Sequence, residues 1–239
     1  MPKYKRVLLK LSGEALAGDN KDLIIVKDVI MPLAETIKRV RELGIDVGIV
    51  VGAGNIWRGK VAEEVGMDRS NADYMGMIAT IINAMALGDI LNRIGVKTKV
   101  VTAFEVKGVT EEYEKEKTLQ YLDEGNVVIF GGGTGKPFFS TDTCAALKAI
   151  DIKADVILMA KNGVEGVYSD DPKINPEAEL YSELDYHTIL AKQLKVMDKA
   201  AVAITNQANM EIVVFNMNDM NNIIKVVNGD KIGTIIRKG

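Results

Sequence analysis

Val47-Gly48-Ile49-Val50-Val51 runs directly into Gly52-Ala53-Gly54-Asn55-Ile56-Trp57-Arg58-Gly59. The first five residues are nearly all apolar, so they read as a strand buried on both faces, the habit of strands in parallel sheets. The turn after them sets small and charged residues at the carboxyl end of that strand, where open parallel sheets bind ligands. Upstream, residues 7–11 read as an earlier strand stopped at Gly13. Between the two strands Val26, Val29, Ile30, Leu33, Ile37, Val40 and Leu43 recur at three- and four-residue steps, an amphipathic helix closed by Gly44. Downstream, residues 74–94 read as a long helix with Asp73 as its N-cap. The apolar residues of that helix cover more than one stripe, so it is expected to lie centrally or against another subunit. Further strands are expected at 97–101, 127–130, 156–159, 212–215 and 232–236, and helices at 111–122, 143–152, 187–194, 199–209 and 220–227. This alternation predicts an α/β fold, a mostly parallel sheet with helices on both faces.

The 239 residues, 47% apolar and 26% charged, suit one globular domain, and no repeat or proline/serine-rich linker divides them. The polar, proline-bearing segment 169–176 reads as a surface loop. A net charge of −3 supplies no general attraction for nucleic acid or anionic lipid, so a polyanionic ligand must be met by local amides, lysines and arginines. Cys144 is the single cysteine, which fits a reducing compartment, and reads as a small buried hydrophobe. His187, the single histidine, lies in a polar stretch and reads as a surface residue. Val7-Leu8-Leu9 is too short for a signal-peptide core, and residues 75–87, interrupted by Thr80 and Asn83, fall short of the ~18 expected of a membrane span. A soluble, cytoplasmic protein with no membrane or nucleic-acid partner is expected.

Two more strand ends repeat the pattern of the opening stretch. Lys10-Leu11-Ser12-Gly13-Glu14 follows the first strand, and Gly131-Gly132-Gly133-Thr134-Gly135-Lys136-Pro137-Phe138-Phe139-Ser140-Thr141-Asp142 follows the strand ending at Phe130. Glycines let a backbone approach phosphate oxygens and aim successive N–H groups at them. Two common nucleotide motifs do not fit. Phe130 and Pro137 break the P-loop pattern around Gly135-Lys136, and Trp57 stands where the dinucleotide fingerprint needs its last glycine.

Together these segments resemble the bacterial uridylate kinases of the amino acid kinase superfamily. The resemblance runs from residues 4–16 through Asn55-Ile56-Trp57-Arg58-Gly59, Asp73-Tyr74-Met75-Gly76-Met77 and 134–142 to Lys195-Val196-Met197-Asp198 and Val214-Phe215-Asn216-Met217. It implies a three-layer α/β/α sandwich, with residues 1–150 holding UMP and 151–239 holding ATP, and transfer of the ATP γ-phosphate to UMP in pyrimidine nucleotide biosynthesis. It implies that Lys10, Arg58, Asp142 and Lys161 serve the chemistry. Lys10, Leu11, Ser12, Gly13, Gly54, Arg58, Asn162, Tyr168 and Asp171 would contact ATP. Ala53, Asp73, Thr134, Gly135, Lys136, Pro137, Phe138, Phe139, Ser140 and Thr141 would contact UMP.

The resemblance also implies Mg²⁺ arriving with ATP and held by phosphates and water, with no separate protein metal site. Inhibition by UTP and a homo-hexamer belong to the same picture. Lys136 stands where these kinases usually carry asparagine, and Ala53 where glycine is common. Residues 17–24 lack the glycine-aromatic-glycine of many relatives, which leaves activation by GTP open, and the part played by Asp198 is open as well. Two other readings share the fold: a kinase for a small carboxylate, carbamate or isopentenyl phosphate, and a nucleotide sensor without catalysis.

Overall fold

The computed structural model describes residues 2–18, 20 and 22–239. In chain order the elements are β1 (Arg6–Leu11), α1 (Glu14–Ala17), α2 (Lys27–Glu42), β2 (Asp46–Val51), α3 (Gly59–Glu64), α4 (Arg69–Arg93), β3 (Thr98–Thr102), β4 (Glu111–Glu112) and α5 (Lys115–Asp123). There follow β5 (Val127–Gly131), α6 (Thr141–Asp151), β6 (Val156–Lys161), β7 (Glu183–Asp185), α7 (Tyr186–Ala191), α8 (Lys199–Gln207), β8 (Glu211–Asn216), α9 (Asn221–Asn228) and β9 (Thr234–Arg237). The strands form one sheet in the order β4-β3-β5-β2-β1-β6-β8-β9-β7. Every pairing is parallel except β8 with β9.

Because side chains alternate across a strand, β1 splits its residues between two cores. Val7, Leu9 and Leu11 pack on one face with Leu33 and Ile37 of α2, Leu87 of α4 and Ile223 of α9. Leu8 packs on the other face with Cys144, Ala145 and Ala149 of α6. The same alternation sends Lys10, two residues after Leu8, to the α6 side at the carboxyl edge of the sheet. Cys144 is buried, which pushes its thiol up to about 11 and leaves it inert.

The long helix begins earlier than its apolar pattern suggests. Asp68 is the N-cap, accepting from Asn71 N at 3.0 Å, so Asp73 sits inside the helix and does not cap it. The polar first turn, Arg69-Ser70-Asn71, hides this start from a reading of hydrophobic period. One face of α4 (Ala84, Leu87, Leu91) is buried, and Gly88 lies so close to β3 that a Cβ would stand 2.7 Å from Val100. Tyr74, Met75, Ile78, Ile82 and Met85 are exposed on the other side. By length and composition this helix is long enough and apolar enough to cross a membrane, contrary to the expectation from the run 75–87, because Thr80 and Asn83 weigh little in a longer window. Half of that window is buried within the fold.

The remaining differences lie at edges. Residues 111–112, expected as helix, form the short strand β4, and α5 starts only at Lys115. β7, α1 and α3, each six residues or fewer, were not expected. Ser140 caps α6, accepting from Asp142 N and Thr143 N at 3.0 and 3.1 Å, so the helix starts at Thr141, two residues before the expected 143. The 169–176 segment is a largely exposed loop, and His187 is exposed. Asp19 and Lys21, within the segment 17–24, lie outside the described residues.

Candidate functional site

The three turns after β1, β2 and β5 meet at the carboxyl edge of the sheet. Gly52 N donates to Leu11 O at 2.9 Å, which stitches the first two together and leaves the Leu11 side chain in the core. Gly13 has an ordinary negative φ, so its role is close approach: a Cβ there would stand 2.1 Å from Asn55 Oδ1 and 2.7 Å from Gly54 N. A Cβ at Gly52 would lie 3.6 Å from Thr141 Oγ1, which places the start of α6 beside the second turn. Ala53 has negative φ, so alanine carries no strain where relatives have glycine.

Lys10 is buried, and its ammonium stands 2.7 Å from Asp142 Oδ1. The contact is a close, buried ion pair that neutralises both charges. The buried Ser12 hydroxyl has no partner. A buried lysine charge and a free hydroxyl donor on one turn are groups that can meet an anion.

Lys161, at the end of β6, donates to Val196 O at 3.1 Å. Its pKa is lowered from the ordinary lysine value by burial first and by the charge of Lys10 second, with Asp142 opposing. Two lysines and one carboxylate thus share this centre.

Asp198 caps α8, accepting from Ala201 N at 3.0 Å, and reaches across to accept from the Ser140 hydroxyl and from Thr143 Oγ1 at 3.0 Å. The first turns of α6 and α8 are therefore clamped together, and the α6 turn carries Asp142. Burial pushes the Asp198 carboxyl up, but the bonds from Ser140, Ala201 and Thr143 outweigh it, and the net result lies below the usual carboxylate range.

On the far side of the turns Asp73 accepts from Phe138 N at 2.8 Å and from Arg69 Nε at 2.9 Å. That bond holds Phe138 at a φ of 69°, a left-handed conformation uncommon for a bulky residue and often kept for function. Gly132, Gly133 and Gly135 take positive φ without such strain, and Gly132 N donates to Thr80 Oγ1 at 2.8 Å. Lys136, Phe138 and Phe139 are exposed along the rim, and Thr134 Oγ1 bonds the backbone of Lys136. Arg58 is exposed and already engaged, donating to Gly54 O at 3.0 Å and to Glu14 at 2.7 Å.

Beyond β6 a cavity of about 410 Å³ is lined by Lys161, Tyr168, Asp171, Lys192, Lys195 and Val196 among others. Two residues expected to hold a nucleoside, Tyr168 and Asp171, lie in its wall. Asn162 is exposed and is not part of the lining. All other expected residues gather at the three turns, and Lys161 belongs to both places. Glu14, Asn55, Thr80 and Asn83 brace the turns and were not expected. Glu14 and Asn55 stand in the strand-end stretches without an assigned role, and the hint of the other two is a polar pair, Thr80 and Asn83, inside an apolar helix.

Among the described residues no group of three or more His, Cys, Asp or Glu is placed to hold a metal ion. The carboxylate nearest the centre, Asp142, is paired with Lys10.

Fold and site together define a small-molecule phosphotransferase of the α/β/α type. The chain belongs to the amino acid kinase family, whose sequence profile matches residues 5–216. Among solved structures it is similar to the UMP kinase of Bacillus anthracis, with 39% identity and a TM-score of 0.95 over 99% of this chain and 97% of that one. It is similar to the UMP kinase of Ureaplasma parvum, with 41% identity and a TM-score of 0.94 over 99% and 100%. The uridylate kinase of Archaeoglobus fulgidus is more distant, with 31% identity and a TM-score of 0.75 over 99% and 100%.

Proposed function

We propose that this chain transfers the γ-phosphate of ATP to UMP, giving UDP and ADP. The observation that carries the reading is the buried Lys10–Asp142 pair, set among three amide-rich turns and beside Lys161. A UMP phosphate oxygen forms the new bond to the γ-phosphorus while the bond from that phosphorus to the β,γ-bridging oxygen breaks, and ADP carries the bridging oxygen away. Such a transfer needs two polyanions held in line and their spreading charge neutralised. Lys10 and Lys161 supply fixed positive charge, Asp142 orients Lys10, and the amides and hydroxyl of the Ser12–Gly13 turn meet phosphate oxygens. Arg58 leaves Glu14 to grip phosphate with its planar fork.

Residues 1–150 form the acceptor half, with Asp73 on the ribose and the 134–141 loop, including Pro137, around the uracil. Residues 151–239 form the ATP half, with Tyr168 against the adenine and Asp171 near the ribose. Mg²⁺ enters with ATP, held by phosphate oxygens and water, which suits a centre whose nearest carboxylate is engaged by Lys10. The exposed apolar face of α4 supports a homo-oligomer, and the sequence resemblance to uridylate kinases is what suggests a cytoplasmic hexamer of pyrimidine biosynthesis restrained by UTP.

The test is ADP release from MgATP with UMP, CMP, dUMP, acetylglutamate or aspartate as acceptor. Rapid turnover with UMP alone is expected. Turnover with a carboxylate and none with UMP would overturn the acceptor assignment. Tight UMP or UTP binding with no turnover at all would favour a sensor.

A further inference from the structure

Asn83 is a wholly buried amide in the middle of α4. Its Nδ2 donates to Gly52 O and to Asn55 Oδ1, each at 2.8 Å, and its Oδ1 accepts from Asn55 Nδ2 at 3.1 Å. The two amides thus bond each other reciprocally, and Asn55 Nδ2 also reaches Ile24 O at 2.6 Å. The Asn55 oxygen is the atom that abuts Gly13, where a Cβ would come within 2.1 Å of it. One buried side chain on the helix therefore sets, through a second, the separation of the turns after β1 and β2.

We infer that Asn83 and Asn55 are positioning residues for phosphoryl transfer, acting as one unit that fixes the gap between the Gly13 and Gly52–Gly54 turns. A leucine at this position would leave the Gly52 carbonyl and the Asn55 amide without their partner, so the amide contributes stability. It also supplies geometry. It ties a carbonyl of the second turn and the contact surface of the first to a rigid helix, and in-line transfer is sensitive to displacements of about 1 Å. Asn83 is wholly buried, so it acts through the turns and not on a ligand. The inference rests on reading these turns as phosphate-binding.

The test compares Asn83→Leu, Asn55→Ala and the double variant with wild type in MgATP/UMP turnover, thermal unfolding and backbone amide exchange. Each single variant is expected to lose kcat by roughly 10–100-fold while both KM values stay within about threefold, the mark of an interaction used in the transition state. The double variant should lose no more than the worse single one, because the residues act together. Amide exchange in residues 12–14 and 52–55 should quicken by about tenfold, equivalent to ~1.4 kcal/mol of local opening. Should Asn83→Leu not fold, the half-buried Asn55→Ala carries the comparison. Wild-type kcat in folded Asn55→Ala, or losses that multiply in the double variant, would overturn the inference. If wild type turns over no nucleotide, the UMP kinase reading fails, and unchanged exchange in the two turns would then overturn the positioning role independently.

Discussion

Around the ends of β1, β2 and β5 the turns are held by side chains of distant elements, whereas in the cavity beyond β6 the inner wall at Val167 is tied to Thr234 but the outer 169–177 loop bonds mainly to itself. On the first side the fastenings are long-range. Thr80 holds Gly132, Asn83 holds Gly52, Asp73 holds Phe138, and Asp198 holds the first turn of α6. On the second side the loop bonds mainly to itself, as when Lys173 N donates to Asp171 and Glu177 N to Asn175. Lys192 reaches the neighbouring Tyr181, and Lys161 reaches the Val196 carbonyl. Groups fixed in advance by distant elements lose little freedom when a ligand arrives, while locally bonded loops must be ordered by it. The proposed acceptor and phosphate side is thus built before binding, and the proposed nucleoside end of the ATP site is completed by it.

The largest effect should come from the pair at the junction of the two sides. Lys10→Met is expected to lower kcat by on the order of 10²–10³-fold, because a fixed charge facing the transferring phosphate is lost. It also strands the Asp142 carboxylate, so stability should fall by about 3–5 kcal/mol and recover in Lys10→Met/Asp142→Asn, as denaturant unfolding would show. Catalysis should not recover with it.

Asp198→Ala should act on the prebuilt side. Loss of the α8 cap and of the acceptor for Ser140 and Thr143 is expected to cost about 1–2 kcal/mol in unfolding free energy and to lower kcat roughly tenfold by loosening Asp142. The carboxyl pKa is lower in the folded state than in the unfolded one. The stabilisation is therefore complete above the unfolded carboxylate pKa and is lost as pH falls through the folded value. The difference in stability between wild type and variant should shrink only in strong acid.

Lys161 tests the completed side by pH. Its folded pKa lies below the ordinary lysine value, so burying its ammonium costs stability at neutral pH, and that cost fades as pH rises through the folded pKa. Lys161→Met should therefore unfold at equal or slightly higher temperature at pH 7 while binding ATP more weakly. In wild type, ATP affinity should decline at alkaline pH below the usual lysine range, and the variant should lack that decline. Isothermal titration across pH checks both.

Much of this division was legible in the residues themselves. The apolar runs at 7–11 and 47–51 fix parallel strands, and their glycine-bearing ends mark the cleft. Lys10 between two leucines announces a buried, paired lysine. Less visible were features set by partners far along the chain. Asn83 gains meaning only from Gly52 and Asn55, and Thr80 only from Gly132, each across another element. The start of α4 was hidden because its first turn is polar, and β4 and β7 because two or three residues carry no period. Asn162 was expected at the nucleoside by likeness of sequence, and it is exposed next to Lys161 of the cavity wall.

The most direct test of a two-sided site is a crossed binding experiment, titrating UMP and a non-hydrolysable ATP analogue separately into Asp73→Asn and Tyr168→Ala. The prediction is that Asp73→Asn weakens UMP by roughly tenfold or more and leaves the analogue unchanged, while Tyr168→Ala weakens the analogue by about tenfold and spares UMP. If both variants weaken the same ligand, or each weakens the other's, the assignment of the two sides is contradicted.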